Sequence, residues 1–574
     1  MPTLFCQAEG HAEGGDRREP PEDPAQSKTP RMSIDSMREN REAPVGPAVQ
    51  AVGRTGKAAG PKPEPETAGE SDRGIVPENP PNEAAVAAEE AGEGRPRAKE
   101  NAAAPHTGWT QSQGAVSQGL AGVRQAASQD PRRQFTALLH HLTPALLEDS
   151  FDRLQRQAAP GVDGVTWKEY EKGLRERLVD LHARVHRGGY RAQPSKRTYI
   201  PKADGKKRPL GIAALEDKIV QQAVVTILDQ IYEEDFLGFS YGFRPRRGAH
   251  DALDAWTVGI CRRRVIGGLD ADIRGFFDNL KHEWLMEFLQ HRVRDPRILR
   301  LIEKWLKAGV SEEGEWKATT VGTPQGAVIS PLLANIYLHY VVDLWVAAWR
   351  KKQARGNVAV VRYADDLVFG FEHRDDAERF LEQLRERLAK FGLELHPDKT
   401  RLIAFGRDAE RNGHEGKGSK PGTFDFLGFT HFCGRNRKTG YFTVRRKTTG
   451  KRLRAKLKQV GTALRTRMHE QVEATGKWLR AVVQGYLNYH AVPENRAALE
   501  TFRTGVIRHW YRALRRRGQR RRLTWATFRP YIRRWIPSVR ILHPYPSERF
   551  AVKHPRWEPY AVVPHVRFCA GGAG

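Results

Sequence analysis

Residues 357–371, NVAVVRYADDLVFGF, set two adjacent aspartates, Asp365 and Asp366, between the apolar runs Val358 to Val361 and Leu367 to Phe371. Two short apolar runs around a polar tip predict a β-hairpin with the acids at its turn. Asp272 lies 93 positions before Asp365, in GGLDADIRGFFDNL. There Leu269, Ala271 and Ile273 share one face and Asp270 and Asp272 the other, which predicts a strand ending at the Gly275 turn. Adjacent carboxylates near a sheet core repel each other and resist desolvation unless a cation neutralises them. Mg²⁺ suits that need, because it binds through one or two carboxylates plus waters and substrate phosphates. Asp272, Asp365 and Asp366 are therefore expected to clamp two Mg²⁺ ions about 4 Å apart, with Ile273 counted in the metal site beside Asp272.

The charge balance points to the partner. The 574 residues carry 96 Lys and Arg against 68 Asp and Glu, a net charge of +28, which predicts a polyanionic partner. Residues 445–540 alone hold 26 Lys and Arg against four Glu, interleaved with Trp478, Tyr486, Tyr489, Trp510, Tyr511, Trp525, Tyr531 and Trp535. Arginine with stacking aromatics suits RNA. Residues 1–100 carry 13 basic and 19 acidic side chains, 14 prolines and one aromatic, Phe5, a composition that predicts disorder. Cys6, Cys261, Cys433 and Cys569 form no Cys-x-x-Cys pair, so a disulfide framework and a zinc ribbon are not expected. No secretory leader is evident, and no apolar run is expected to approach the roughly 20 residues that span a bilayer. The expected setting is the bacterial cytoplasm, without a membrane partner.

With the Asp272 strand upstream, the Tyr363-Ala364-Asp365-Asp366 box resembles the reverse transcriptase core, and specifically the group II intron-encoded reverse transcriptase/maturase family. Other blocks fall in family order. APGVDGVTW (Ala159 to Trp167) is similar to the N-terminal extension motif. YIPKADGKKRPLGI (Tyr199 to Ile212) and FSYGFRPRRGAHDAL (Phe239 to Leu253) resemble fingers blocks. GTPQGAVISPLLANIYL (Gly322 to Leu338) and LHPDKT (Leu395 to Thr400) resemble the palm blocks on either side of the hairpin, and FDFLGF (Phe424 to Phe429) the primer grip.

The resemblance implies an α+β right-hand polymerase: a disordered extension at 1–125, fingers and palm at 126–435, a helical thumb/maturase domain at 436–540 and a short tail at 541–574. It assigns catalysis to Asp272, Asp365 and Asp366. Lys202 and Arg208 would contact the triphosphate of the incoming nucleotide, Gln325 and Gly326 line its pocket, and Phe277 exclude a ribose 2′-hydroxyl. Lys399 would protonate the leaving pyrophosphate. From the residues alone, Ser330 and Pro331 read as an N-cap and first turn, and Ala377, Phe380, Leu381, Leu384, Leu388 and Phe391 as an amphipathic helix on the palm.

In the thumb, Arg512, Arg515, Arg516, Arg517, Arg520, Arg521 and Arg522, with Tyr486 and Tyr489, are expected to bind RNA. No C-terminal HNH endonuclease is evident, and His543, His554 and His565 read as scattered loop residues. The expected function is RNA-directed DNA polymerase and intron maturase. Its partners would be group II intron RNA, an RNA template with DNA primer, target DNA and dNTPs, with a homodimer left open. Two alternatives remain: a splicing-only RNA-binding maturase, and a reverse transcriptase of a retron, diversity-generating or defence element.

Overall fold

Among the described residues, alternating and apolar segments build three sheets, and helices with one apolar stripe cover them. The computed structural model describes residues 110–201, 207–414, 421–436, 440–517 and 523–553. Most of the expected extension at 1–125, Lys202, Arg520 to Arg522, His554 and His565 lie outside the described residues.

The chain enters through the helix Thr110–Gln129, which runs across the expected 125/126 boundary. The APGVDGVTW motif ends on a helix start: Thr166 caps Trp167–Glu171 in a capping box with Glu169. Trp167 then stacks on Phe151 with ring centroids 4.5 Å apart. The fingers sheet has strand order β2-β1-β4-β5, with β1 at Ser195–Pro201, β2 at Lys207–Ile212, β4 at Val310–Glu312 and β5 at Glu315–Lys317. β1 and β2 pair antiparallel from Lys196↔Ile212 to Pro201↔Lys207.

The palm sheet has the order β6-β7-β3-β8: β3 Gly267–Asp272, β6 Val358–Tyr363, β7 Asp366–Phe371 and β8 Arg401–Ala404. Helix Arg374–Lys390 covers one face, its Phe380 ring 4.7 Å from Phe369 and 5.3 Å from Phe371, as its apolar stripe predicts. A second core element runs from Ser330 to Lys352 as two α-helical stretches around a π-helical turn at His339–Asp343. These 23 residues are long and apolar enough to cross a bilayer, contrary to the reading of the sequence, yet most of them are buried inside this fold. Ser330 is also not an N-cap: Ile329 precedes the helix, and the Ser330 hydroxyl donates back to the carbonyl of Pro324 at 3.1 Å.

A third sheet, β11-β10-β9, joins palm to thumb through β9 Phe424–Phe426, β10 Phe429–Arg435 and β11 Phe442–Thr448. The expected 435/436 boundary falls inside the β10–β11 pairing. Helices Gly450–Thr466, Val472–His490, Arg496–Arg515 and Trp525–Trp535 form the thumb around a core that includes Leu479, Phe502, Trp510 and Phe528. Beyond 540 the chain turns back: the Arg549 side chain of helix Pro546–Lys553 pairs with Asp254 of helix Ala249–Arg262. His543 is correspondingly built in rather than scattered. Its Nε2 lies 2.7 Å from the Asn488 carbonyl, and its ring is 4.1 Å from that of His250.

Candidate active site

β6 and β7 are separated only by Ala364 and Asp365, a two-residue turn with Tyr363 opposite Asp366. Ala364 adopts φ 56°, the left-handed region that L residues avoid, so the turn is held in place by its surroundings. Across the β3–β7 pair, Asp272 lies directly opposite Asp366. Directly opposed residues project to one side of a sheet, so the register brings together acids 94 positions apart, with Asp365 in the adjoining turn. Asp270 shares that face two residues back. Burial pushes its carboxyl up to about 7; Arg401 opposes the shift, while Asp366, Asp272 and Asp425 reinforce it. Lys399 Nζ donates to Asp272 Oδ2 at 2.7 Å.

The surroundings that hold the turn are charged and buried. Arg362, inside the otherwise apolar β6, is fully buried. Its guanidinium donates to both Asp343 oxygens at 2.7 and 2.5 Å, to Asn335 Oδ1 at 2.9 Å, to Ser240 Oγ at 2.7 Å and to the Ala364 carbonyl at 3.1 Å. Asp343 is fully buried too and sits at the end of the π-helical turn, where one extra residue per turn re-aims side chains. From the other side Asn335 Nδ2 donates to the Gly242 carbonyl at 2.7 Å. A Cβ at Gly242 would overlap the Ala364 amide nitrogen, so only glycine lets the Phe239–Phe243 segment lie against the turn. Sequence reading missed Arg362, Asp343, Asn335 and Ser240. The available signal was an arginine within a strand too apolar to leave it in water.

One loop connects fingers and palm at the expected nucleotide position. The amide of Gly211 on β2 donates to the Gln325 carbonyl at 2.7 Å, and the Thr323 amide to the Phe277 carbonyl at 2.9 Å. Gly326 has φ 111°, and a Cβ there would stand 2.9 Å from the Gly211 carbonyl oxygen. Gln325 is half-buried and Gly326 exposed. Thr323 Oγ1 and Ser330 Oγ are 2.6 Å apart, pinning the loop to the start of the buried helix. Phe277 is 9% exposed and meets Phe243 edge-on at 6.4 Å, while Phe276 at 2% is core. Arg208 is half-buried on β2, opposite Ile200.

The donors gathered here are carboxylate oxygens, the set that hard divalent cations prefer. Among the described residues no three such groups already stand as a metal-ligand cluster, and Asp272 faces the Lys399 ammonium instead. A carboxylate already matched to a cation, beside a second one forced towards its neutral form, fits a site that binds positive charge. Ile273 has its side chain in the core at 2% exposure, so only its backbone carbonyl is available as a donor.

The thumb residues divide. Arg512, Arg515 and Arg516 are exposed at the end of helix Arg496–Arg515. Arg517 is instead engaged with the backbone carbonyls of Met468 and Glu470, so it ties the end of helix Arg496–Arg515 to the turn between helices Gly450–Thr466 and Val472–His490. Tyr486 is buried and stacks on Phe502 at 3.7 Å, which corrects its expected place on an RNA surface. Tyr489 is half-buried, and its hydroxyl donates to the Leu427 carbonyl at 2.8 Å, at the β9–β10 turn. Both tyrosines lie on the apolar stripe of their helix, and helical periodicity outweighed composition.

Residues 200–431 match the family described as reverse transcriptase (RNA-dependent DNA polymerase). Protein YkfC of Escherichia coli is 36% identical over 314 residues, covering 48% of this chain and 81% of YkfC. The group II intron-encoded protein LtrA of Lactococcus lactis is 38% identical over 211 residues, 36% of this chain and 34% of LtrA. Nuclear intron maturase 2 of Arabidopsis thaliana is 34% identical over 111 residues, 18% of this chain and 14% of its own length. The chain thus spans about a third of LtrA.

Proposed function

The chain belongs to the reverse transcriptase family, in its group II intron-encoded branch, and from that premise we propose that it copies structured intron RNA into DNA and assists the splicing of that RNA. The observation that carries this reading is the Asp272↔Asp366 register with Asp365 in the adjoining turn. Asp272, Asp365 and Asp366 would hold two Mg²⁺ ions, with the Ile273 carbonyl beside them. The chemistry these ions supply when bound is activation of the primer 3′-hydroxyl and neutralisation of the departing pyrophosphate.

The chain's own residues do the rest. Lys202 and Arg208 bind the triphosphate, Arg through a two-pronged fork. The Gln325-Gly326 loop, fixed to β2 and to the Phe277 carbonyl, orients the incoming base. The Phe277 ring leaves no room for a 2′-hydroxyl. Lys399 keeps a proton at Nζ beside Asp272, where a leaving oxygen can take it. Arg512, Arg515 and Arg516 hold RNA phosphates. Target DNA as primer and the cytoplasm as setting complete the proposal.

The test is extension of a DNA primer on an RNA template with Mg²⁺ and dNTPs, comparing the natural chain with Asp365→Ala. Extension by the natural chain alone is the expected result. No extension by either, with tight RNA binding retained, would replace the polymerase by a splicing-only maturase.

A further inference from the structure

Helix Ala249–Arg262, the β10–β11 hairpin, the Pro493–Glu494 turn and the start of helix Pro546–Lys553 enclose a cavity of about 210 Å³ at the root of the thumb. None of its lining residues belongs to the catalytic end or to the exposed arginines of helix Arg496–Arg515. Arg262, Arg445 and Arg446 stand in its wall, and Tyr441 and Tyr545 line it.

Its charge is not balanced from within. Arg445 pairs with Glu494, while Arg446 and Arg549 share the single carboxylate of Asp254. Three guanidiniums, those of Arg445, Arg446 and Arg549, thus share two acids. Arg446 is 3% exposed, and its buried Nη1 has no hydrogen-bond partner among the described residues. A buried cation with an unmet donor is a costly arrangement that an anion relieves. The rings are the second sign: Tyr441 is 77% exposed and Tyr545 48%, aromatic surface presented at a cationic opening. An acidic peptide would use the cations and leave the rings idle. An unpaired nucleotide uses both, its phosphate on the guanidiniums and its base on a ring.

We propose that this cavity binds an unpaired nucleotide of a single-stranded RNA segment. The site lies where palm, thumb and the C-terminal helix meet, so an occupied cavity ties the bound RNA to the base of the thumb. The proposal rests on the reading of the chain as an RNA-binding polymerase.

The experiment is photo-crosslinking of the full chain to an unstructured 20-nucleotide oligouridylate carrying one 4-thiouridine, with peptide mapping by mass spectrometry. Crosslinks are expected at Tyr441 or Tyr545, and Tyr441→Ala should lower the yield at Tyr545 about tenfold. Arg262→Gln should lower it too, while primer extension on a preannealed template stays unchanged in both variants. Tyr441 is largely exposed, so its loss leaves folding intact. RNA crosslinked only elsewhere in the chain would overturn the cavity assignment and spare the polymerase reading. No RNA crosslink anywhere would overturn both. Labelling by 4-thiouridine monophosphate as strong as by the 20-mer, at equal nucleotide concentration, would assign the cavity to a free nucleotide and overturn the strand assignment.

Discussion

Replacing Arg362 by methionine removes the guanidinium that ties the Ala364-Asp365 turn to the core. Five hydrogen bonds go, two of them to Asp343, which stays behind as a fully buried carboxylate without its main counter-charge. Breaking a buried pair from one side costs about 3–5 kcal/mol. In a folded unit of several hundred residues that lowers the melting midpoint by about 5 °C. The double variant Arg362→Met, Asp343→Leu removes both charges, and apolar replacement of a whole buried pair is near neutral, so most of the midpoint should return. Activity should not return with it. The Ala364 carbonyl still lacks its 3.1 Å donor, and a displacement of about 1 Å at reacting groups costs on the order of 10²-fold in rate. The assays are differential scanning fluorimetry and single-turnover primer extension. A double variant that extends as fast as the natural chain would refute a positioning role for Arg362, and an unchanged midpoint in the single variant would refute the buried-pair argument.

Gly242→Ala should cut extension at least about 10²-fold with RNA binding retained, because the new Cβ overlaps the Ala364 amide; filter binding alongside extension checks it. Reversing Arg512, Arg515 and Arg516 to Glu should weaken RNA affinity and reduce the slope of log K against log salt by about 0.7 for each phosphate no longer neutralised, whereas Arg517→Ala should lower stability first. Burial holds His339 at about 4 and His431 and His490 at about 3, below the unfolded value near 6.5. The unfolded chain therefore binds more protons between pH 6.5 and those values, so stability is full above 6.5 and is lost as pH falls through this window. Melting midpoints from pH 7.5 to 4.5 should drop accordingly, and His431→Phe should flatten the drop; a pH-independent midpoint would contradict the assignment.

Much of the candidate site was legible in the chain because strand periodicity is local. Alternation put Asp270 and Asp272 on one face of β3, and the flanking apolar runs put Asp365 and Asp366 at the hairpin tip, where Asp365 falls in the turn and Asp366 heads β7. The stripe from Ala377 to Phe391 likewise announced the helix behind the sheet. The thumb tyrosines misled because composition carries no direction: a basic, aromatic segment reads as RNA surface, yet Tyr486 turned inward onto Phe502.

What the sequence by itself determined is the set of local elements and the acids they carry, since both follow from backbone periodicity and side-chain chemistry over a few residues. The pairing of Asp272 with Asp366, the Arg362–Asp343 tie behind the turn, the docking of Arg549 on Asp254 and the cationic cavity beside it were decided only by the tertiary structure. Each joins residues from separate elements, 19 positions apart for Arg362 and Asp343 and 295 for Arg549 and Asp254. Register, burial and charge balance at such sites arise from how the elements pack together, which no local pattern encodes.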